Sequence, residues 1–183
     1  KGELTKLAGP VSFELKELNN RTIPASDRKE MSEFKIKTLA LDNALRAVGA
    51  ALTDMNDKIP AYRAATKAFN ATVANKMLQE IDELENKVEE IEMIINGDRT
   101  KGTLDLDGDY ALRSRARNAA FDNMRSTTNI TGTSKQNYMI AAEEFGPVLE
   151  QVKMLKEEFE QMDKKLTDLG APLTPGRLPD WKK

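Results

Sequence analysis

Across residues 134–170, apolar side chains fall at Tyr138, Ala141, Phe145, Val148, Val152, Leu155, Phe159, Met162, Leu166 and Leu169. The steps alternate between three and four, which puts all of them on one stripe of an α-helix. At 1.5 Å of rise per residue such a helix is about 50 Å long. A rod of this kind is stable only when its stripe is covered, so further rods are required. Met31, Phe34, Thr38, Leu41, Leu45, Val48, Leu52, Met55 and Ile59 repeat the alternation in a first helix. It starts near Ser26 or Asp27, where Asp27 and Glu30 have capping-box spacing. Met77, Ile81, Leu84, Val88, Ile91 and Ile95 repeat it in a second, closed at Asn96-Gly97, where glycine takes the left-handed conformation after a helix end. A weaker helix is expected at about 110–125, around Leu112, Ala116, Ala119, Ala120 and Met124. The pattern predicts an all-α fold, an antiparallel bundle of three long helices plus a shorter fourth.

The breaks in the pattern predict the punctuation. Pro60 lacks an N–H and clashes with the preceding turn, so the first helix is expected to kink or break there. The Ala-rich stretch 61–74 would continue it as a thinner helix. Gly146-Pro147 should bend the last rod at its middle, and Ser134 is the expected N-cap of that rod after the turn-rich linker 126–133. Residues 98–108 read as a polar connection. Before the first helix the period changes to two: Val11, Phe13 and Leu15 alternate with Ser12, Glu14 and Lys16. Residues 1–24 are therefore read as an extended segment, and residues 25–183 as the helical domain. The segment is either a strap along the bundle or the last strand of a β domain preceding the start KGELTK, which has neither methionine nor an apolar leader. The Pro-rich tail APLTPGRLPDWKK cannot be helical. Its Pro172, Leu173, Pro175, Arg177 and Trp181 are the candidate contacts to a partner or a neighbouring domain.

Composition then removes whole classes of chemistry. The 183 residues contain no cysteine and no histidine. Disulfides, thiolate metal sites, histidine-ligated zinc and His-dependent triads are thus outside this chain's means. A net charge of −2 argues against a dedicated nucleic-acid binder. No stretch is long and apolar enough to span a bilayer.

The remaining motifs are weak. Asp105, Asp107 and Asp109 alternate like the start of a calcium loop, but Gly108 falls at the fourth position, and Ala116 stands where the bidentate glutamate belongs. An acidic turn capping the next helix is the simpler reading. Glu80, Asp82, Glu83, Glu85, Glu89, Glu90 and Glu92 make an acidic face relieved only by Lys87, which reads as a solvated helix side. Arg113, Arg115 and Arg117 would pair with it if the two helices are neighbours. Tyr62, Tyr110 and Tyr138 read as packing residues rather than nucleophiles. Asn20, Asn70 and Asn129 begin glycosylation sequons that matter only if the source glycosylates and the sites are exposed. No cofactor is expected.

Four blocks together resemble the C-terminal region of bacterial secreted proteins known as BNR-repeat glycosyl hydrolases or sortilin-like VPS10 proteins. They are residues 9–24 (GPVSFELKELNNRTIP), Gly97-Asp98, the run AAEEFGPVLEQ at 141–151, and the ending GAPLTPGRLPDW at 170–181. Leu173 departs from that pattern, which more often has tryptophan there, so an aromatic contact made by relatives is not expected. The resemblance implies an upstream β-propeller built from Asp-box repeats, an extracytoplasmic location, and a helical C-terminal domain. No Asp-box occurs in these residues, so no catalytic residue of that family maps onto this chain. The expectation is a non-catalytic domain that packs on its own upstream domains or on a protein partner. The alternatives are a self-associating coiled-coil module and a carbohydrate-active domain using surface carboxylates.

Overall fold

The computed structural model describes residues 9–16, 26–69, 71–104, 110–125, 127–172 and 174–178. It is an all-α bundle with five helices among those residues: α1 (Arg28–Phe69), α2 (Ala71–Asn96), α3 (Arg99–Thr103), α4 (Leu112–Arg125) and α5 (Gly132–Asp168). Cross-helix pairs fix their directions. Glu30 meets Lys135 and Lys58 meets Asp163, so α1 and α5 run parallel. Lys87 meets Glu158 and Lys165 meets Glu80, so α2 runs against α5. Arg113 at the start of α4 lies over Gly49 in the middle of α1, and Asn129, just past the end of α4, meets Ser26 ahead of α1, so α4 runs against α1.

The bundle is therefore three rods thick, and its third rod is made of two pieces. α1 and α5, with 42 and 37 residues, span roughly 63 and 55 Å. α2 covers the upper part of their length, ending beside the middle of α1, and α4 covers the lower part from the same level downward. The short α3 lies at the junction. This is the expected set of three long helices plus a shorter fourth, with the fourth completing the rod that α2 begins.

The stripes face one another. All six apolar positions read for α2 are buried, as are Thr38 through Ile59 on α1 and Ala141, Val148, Val152, Leu155, Phe159, Met162 and Leu166 on α5. Tyr138, Phe145 and Leu169 are partly buried against the same core. Phe34 meets Tyr138 edge-on at 5.5 Å near the lower end. Among the described residues no helix is long and apolar enough to cross a membrane.

Caps explain the helix limits. The Asp27 carboxylate accepts the Glu30 N–H at 2.8 Å, so the aspartate half of the expected box forms, while the Glu30 carboxylate reaches across to Lys135 instead. Gly97 has φ +79° and its N–H reaches Met93 O, ending α2 as expected. At the end of α5, Gly170 (φ +70°) donates to Thr167 O and Ala171 donates to Leu166 O, the paired bonds of a Schellman closure.

Three expectations need correction. α1 does not break at Pro60: it continues as one helix to Phe69, burying Tyr62, Ala65 and Thr66 beyond the proline. Pro60 sits on the exposed side, where water can satisfy the carbonyl left without its N–H, while Met55, Ile59 and Tyr62 hold the inner side. Gly146-Pro147, where a bend is expected, lies exposed within α5. The N-cap of α5 is Thr131, whose hydroxyl accepts the Ser134 N–H at 3.1 Å. Ser134 is fully buried one turn inside the helix, its hydroxyl 3.0 Å from that of Thr131. Finally, residues 9–16 form no strand and are not a strap on the bundle: Val11, Phe13 and Leu15 are 80%, 81% and 88% exposed. A lone strand has no ladder to join inside a helical bundle.

Candidate functional site

The interruption of the third rod leaves a cleft. Where α2 stops and α4 starts, a concavity of about 500 Å³ is lined by Asp42, Arg46, Gly49 and Thr53 of α1, Glu92 and Asn96 of α2, and Arg113 and Arg117 of α4. The spacings put these groups together: 42, 46, 49 and 53 share one side of α1, and 92/96 and 113/117 are each one turn apart. Asp42 is buried and accepts from Arg46 Nε at 2.8 Å. Arg113 lies directly over Gly49, and a Cβ at that position would collide with its Nη2. Its Nε is buried without a hydrogen-bond partner. Among the described residues, packing over the glycine rather than an acid holds this guanidinium.

The three α4 arginines do not make the pairing expected of them. Among the described residues the ion pairs of the acidic α2 face go elsewhere: Glu85 and Asp82 to Arg63, Glu80 to Lys165, while Lys87 of α2 pairs with Glu158. The Arg63 guanidinium, forked between Glu85 at 2.9 and 2.5 Å and Asp82 at 2.6 Å, is held even more firmly in its charged form by those bonds. The reason is geometric. α2 and α4 lie end to end, so most of the acidic face has α1 and α5 for neighbours instead. Arg115 stacks over Tyr110 at 5.2 Å and Arg117 over Phe121 at 5.6 Å.

A second polar node sits higher, between α1 and α5. The Tyr62 hydroxyl is buried and donates to Asp163 Oδ1 at 2.7 Å, and Lys58 Nζ donates to Asp163 Oδ2 at 2.9 Å. Burial first, then the Asp163 carboxylate, pushes the Tyr62 phenol well above its ordinary range. Tyr62 is thus a locked donor beside Phe159, 6.0 Å between ring centres. It is no nucleophile at neutral pH.

Of the tail candidates, Arg177 folds back on its own chain, donating to Thr167 Oγ1 at 3.1 Å, Pro172 O at 2.9 Å and Ala171 O at 3.3 Å. Pro172 and Pro175 are exposed at that pole. Leu173, Trp181, Asp105, Asp107 and Asp109 lie outside the described residues, as do the sequons at Asn20 and Asn70. Asn129 is exposed and its Oδ1 accepts the Ser26 N–H at 2.7 Å, while Thr131 of the same sequon is the α5 cap. Among the described residues no three carboxylates are placed to hold a metal ion.

Sequence reading named Glu92, Arg113 and Arg117 but missed Arg46, Gly49, Asp42, Lys58 and Asp163. Gly49 carried a usable signal, because an isolated glycine inside a long helical pattern marks close approach by another group. Asp42, beside Leu41 and Leu45 on the edge of the apolar stripe, carried another. No protein-family model, curated protein or solved structure matches this chain.

Proposed function

We propose that this chain is a non-catalytic helical domain of a larger, extracytoplasmic β-propeller protein, serving to pack against its own upstream domains. The observation that carries this reading is the row Val11, Phe13 and Leu15. Three apolar side chains at alternate positions, each at least 80% exposed, need a cover that the bundle does not supply. An alternating segment finds it most readily by joining a sheet, and a β domain ahead of residue 9 is what the family resemblance implies. The bundle itself is complete, with its three stripes buried inside one chain. Hydrogen exchange tests the reading. In this chain alone the amides of residues 9–16 exchange within seconds, and in the parent polypeptide they are protected at least about 100-fold. Unprotected amides in the parent overturn it.

Self-association is supported by a different feature, the groove between α2 and α5 where Ile94 and Met154 are exposed between Lys87, Glu90 and Glu158. Light scattering at micromolar concentration decides, and a monomer removes this reading.

A further inference from the structure

We propose that the cleft at the α2–α4 junction binds a small organic acid, whose carboxylate is taken by Arg113 and Arg117. The cleft is a consequence of the split rod, since neither piece of it fills the space beside Gly49 and Thr53. Its volume, about 500 Å³ and open to solvent, is room enough for a small polar molecule. Charge sets the class of ligand. Arg46, Arg113 and Arg117 face Asp42 and Glu92, an excess of one positive charge. Arg46 is bound to Asp42. That leaves two guanidinium groups against the single carboxylate of Glu92, and among the described residues neither is in an ion pair with it. One carboxylate neutralises the excess, whereas a phosphate dianion overshoots it beside Glu92.

Arg113 is also prepared for this role. Its position is fixed by the missing side chain at Gly49, and among the described residues it is in no ion pair. A cation immobilised in advance loses little freedom when a ligand arrives. Asn96 of α2 offers a neutral amide, and Thr53 of α1, whose hydroxyl donates to Gly49 O, offers an acceptor to the remainder of an acid.

Nuclear magnetic resonance titration of the intact chain tests this with sodium acetate as the probe, and with inorganic phosphate and sodium chloride as parallel arms. Acetate should shift the Gly49 and Thr53 amides and the Arg113 and Arg117 Nε–Hε signals saturably, at lower concentration than phosphate, with chloride giving only a small linear drift. R113Q/R117Q should weaken acetate at least about tenfold. G49A should weaken it comparably while melting no lower than the parent, because alanine favours the helix and only the Arg113 position is disturbed. E92Q, which deletes the repelling charge, should tighten acetate about threefold. The proposal is overturned if acetate behaves as chloride does, if phosphate binds more tightly than acetate, or if G49A and R113Q/R117Q both bind acetate as the parent does.

Discussion

Above the junction, α2 fills the third position of the bundle with Met77, Ile81, Leu84, Val88, Ile91 and Ile95. Below it, α4 fills the same position with Leu112, Ala116, Ala119 and Ala120. The long rods change along with it. α1 presents Leu52, Met55, Ile59 and Tyr62 to the upper core, but Thr38, Leu41, Asp42 and Leu45 to the lower one. α5 presents Leu155, Phe159, Met162 and Leu166 above, and Ser134, Ala141 and Val148 below. One end is thus held almost wholly by removing large apolar surfaces from water, while at the other the alanines of α4 add close backbone approach to a thinner set of large side chains. The lesson is that a heptad seam states where a helix touches its neighbours, while side-chain size states how that contact stabilises.

Opposite substitutions separate the two ends. Phe159→Ala, in the upper core beside Tyr62, leaves a void and costs about 3–5 kcal/mol, read from urea denaturation midpoints at unchanged m-value. Ala116→Leu, in the lower core, has no space for its added methylenes and costs about 1–3 kcal/mol in the same measurement. If the alanine end accepted leucine without loss, the close-approach account of that end would fail. The smallest effect is at the Tyr62 node. Tyr62→Phe removes one donor to Asp163, which keeps Lys58, and costs about 1–2 kcal/mol near neutral pH. Because the folded state raises the Tyr62 pKa above its ordinary value of 10.0, its contribution is fully present below that pH. Above it, the unfolded chain sheds the proton that the folded chain keeps, so stability falls as pH rises. Melting curves at pH 8 and 10.5 should show the gap between parent and Tyr62→Phe narrowing.

The seams were legible because periodicity is a local property: each stripe could be read without knowing its neighbours, and the buried positions of α2 are those the spacing named. What depended on neighbours was not. Pro60 is a breaker in isolation, yet it lies on the wet side of a rod whose dry side is anchored on both flanks, so tertiary packing overrides the local penalty. Thr131 and Ser134 are both competent caps, and only the burial of Ser134 decides between them. The partners of the acidic face turned on the axial order of α2 and α4, which no spacing within either helix encodes. The junction cleft follows from that same order, and for this reason Arg46 and Gly49 were not seen as its lining.

The parallel course of α1 and α5 has a mechanical consequence. The backbone enters at one pole through Ser26 and, after α5, leaves near the other, about 45–60 Å away, where Gly176 rests near Lys58. Tension between these points drags the two rods past each other lengthwise rather than peeling them apart. Every side chain along their shared contact then resists together, so the force at which the bundle gives way follows its unfolding rate.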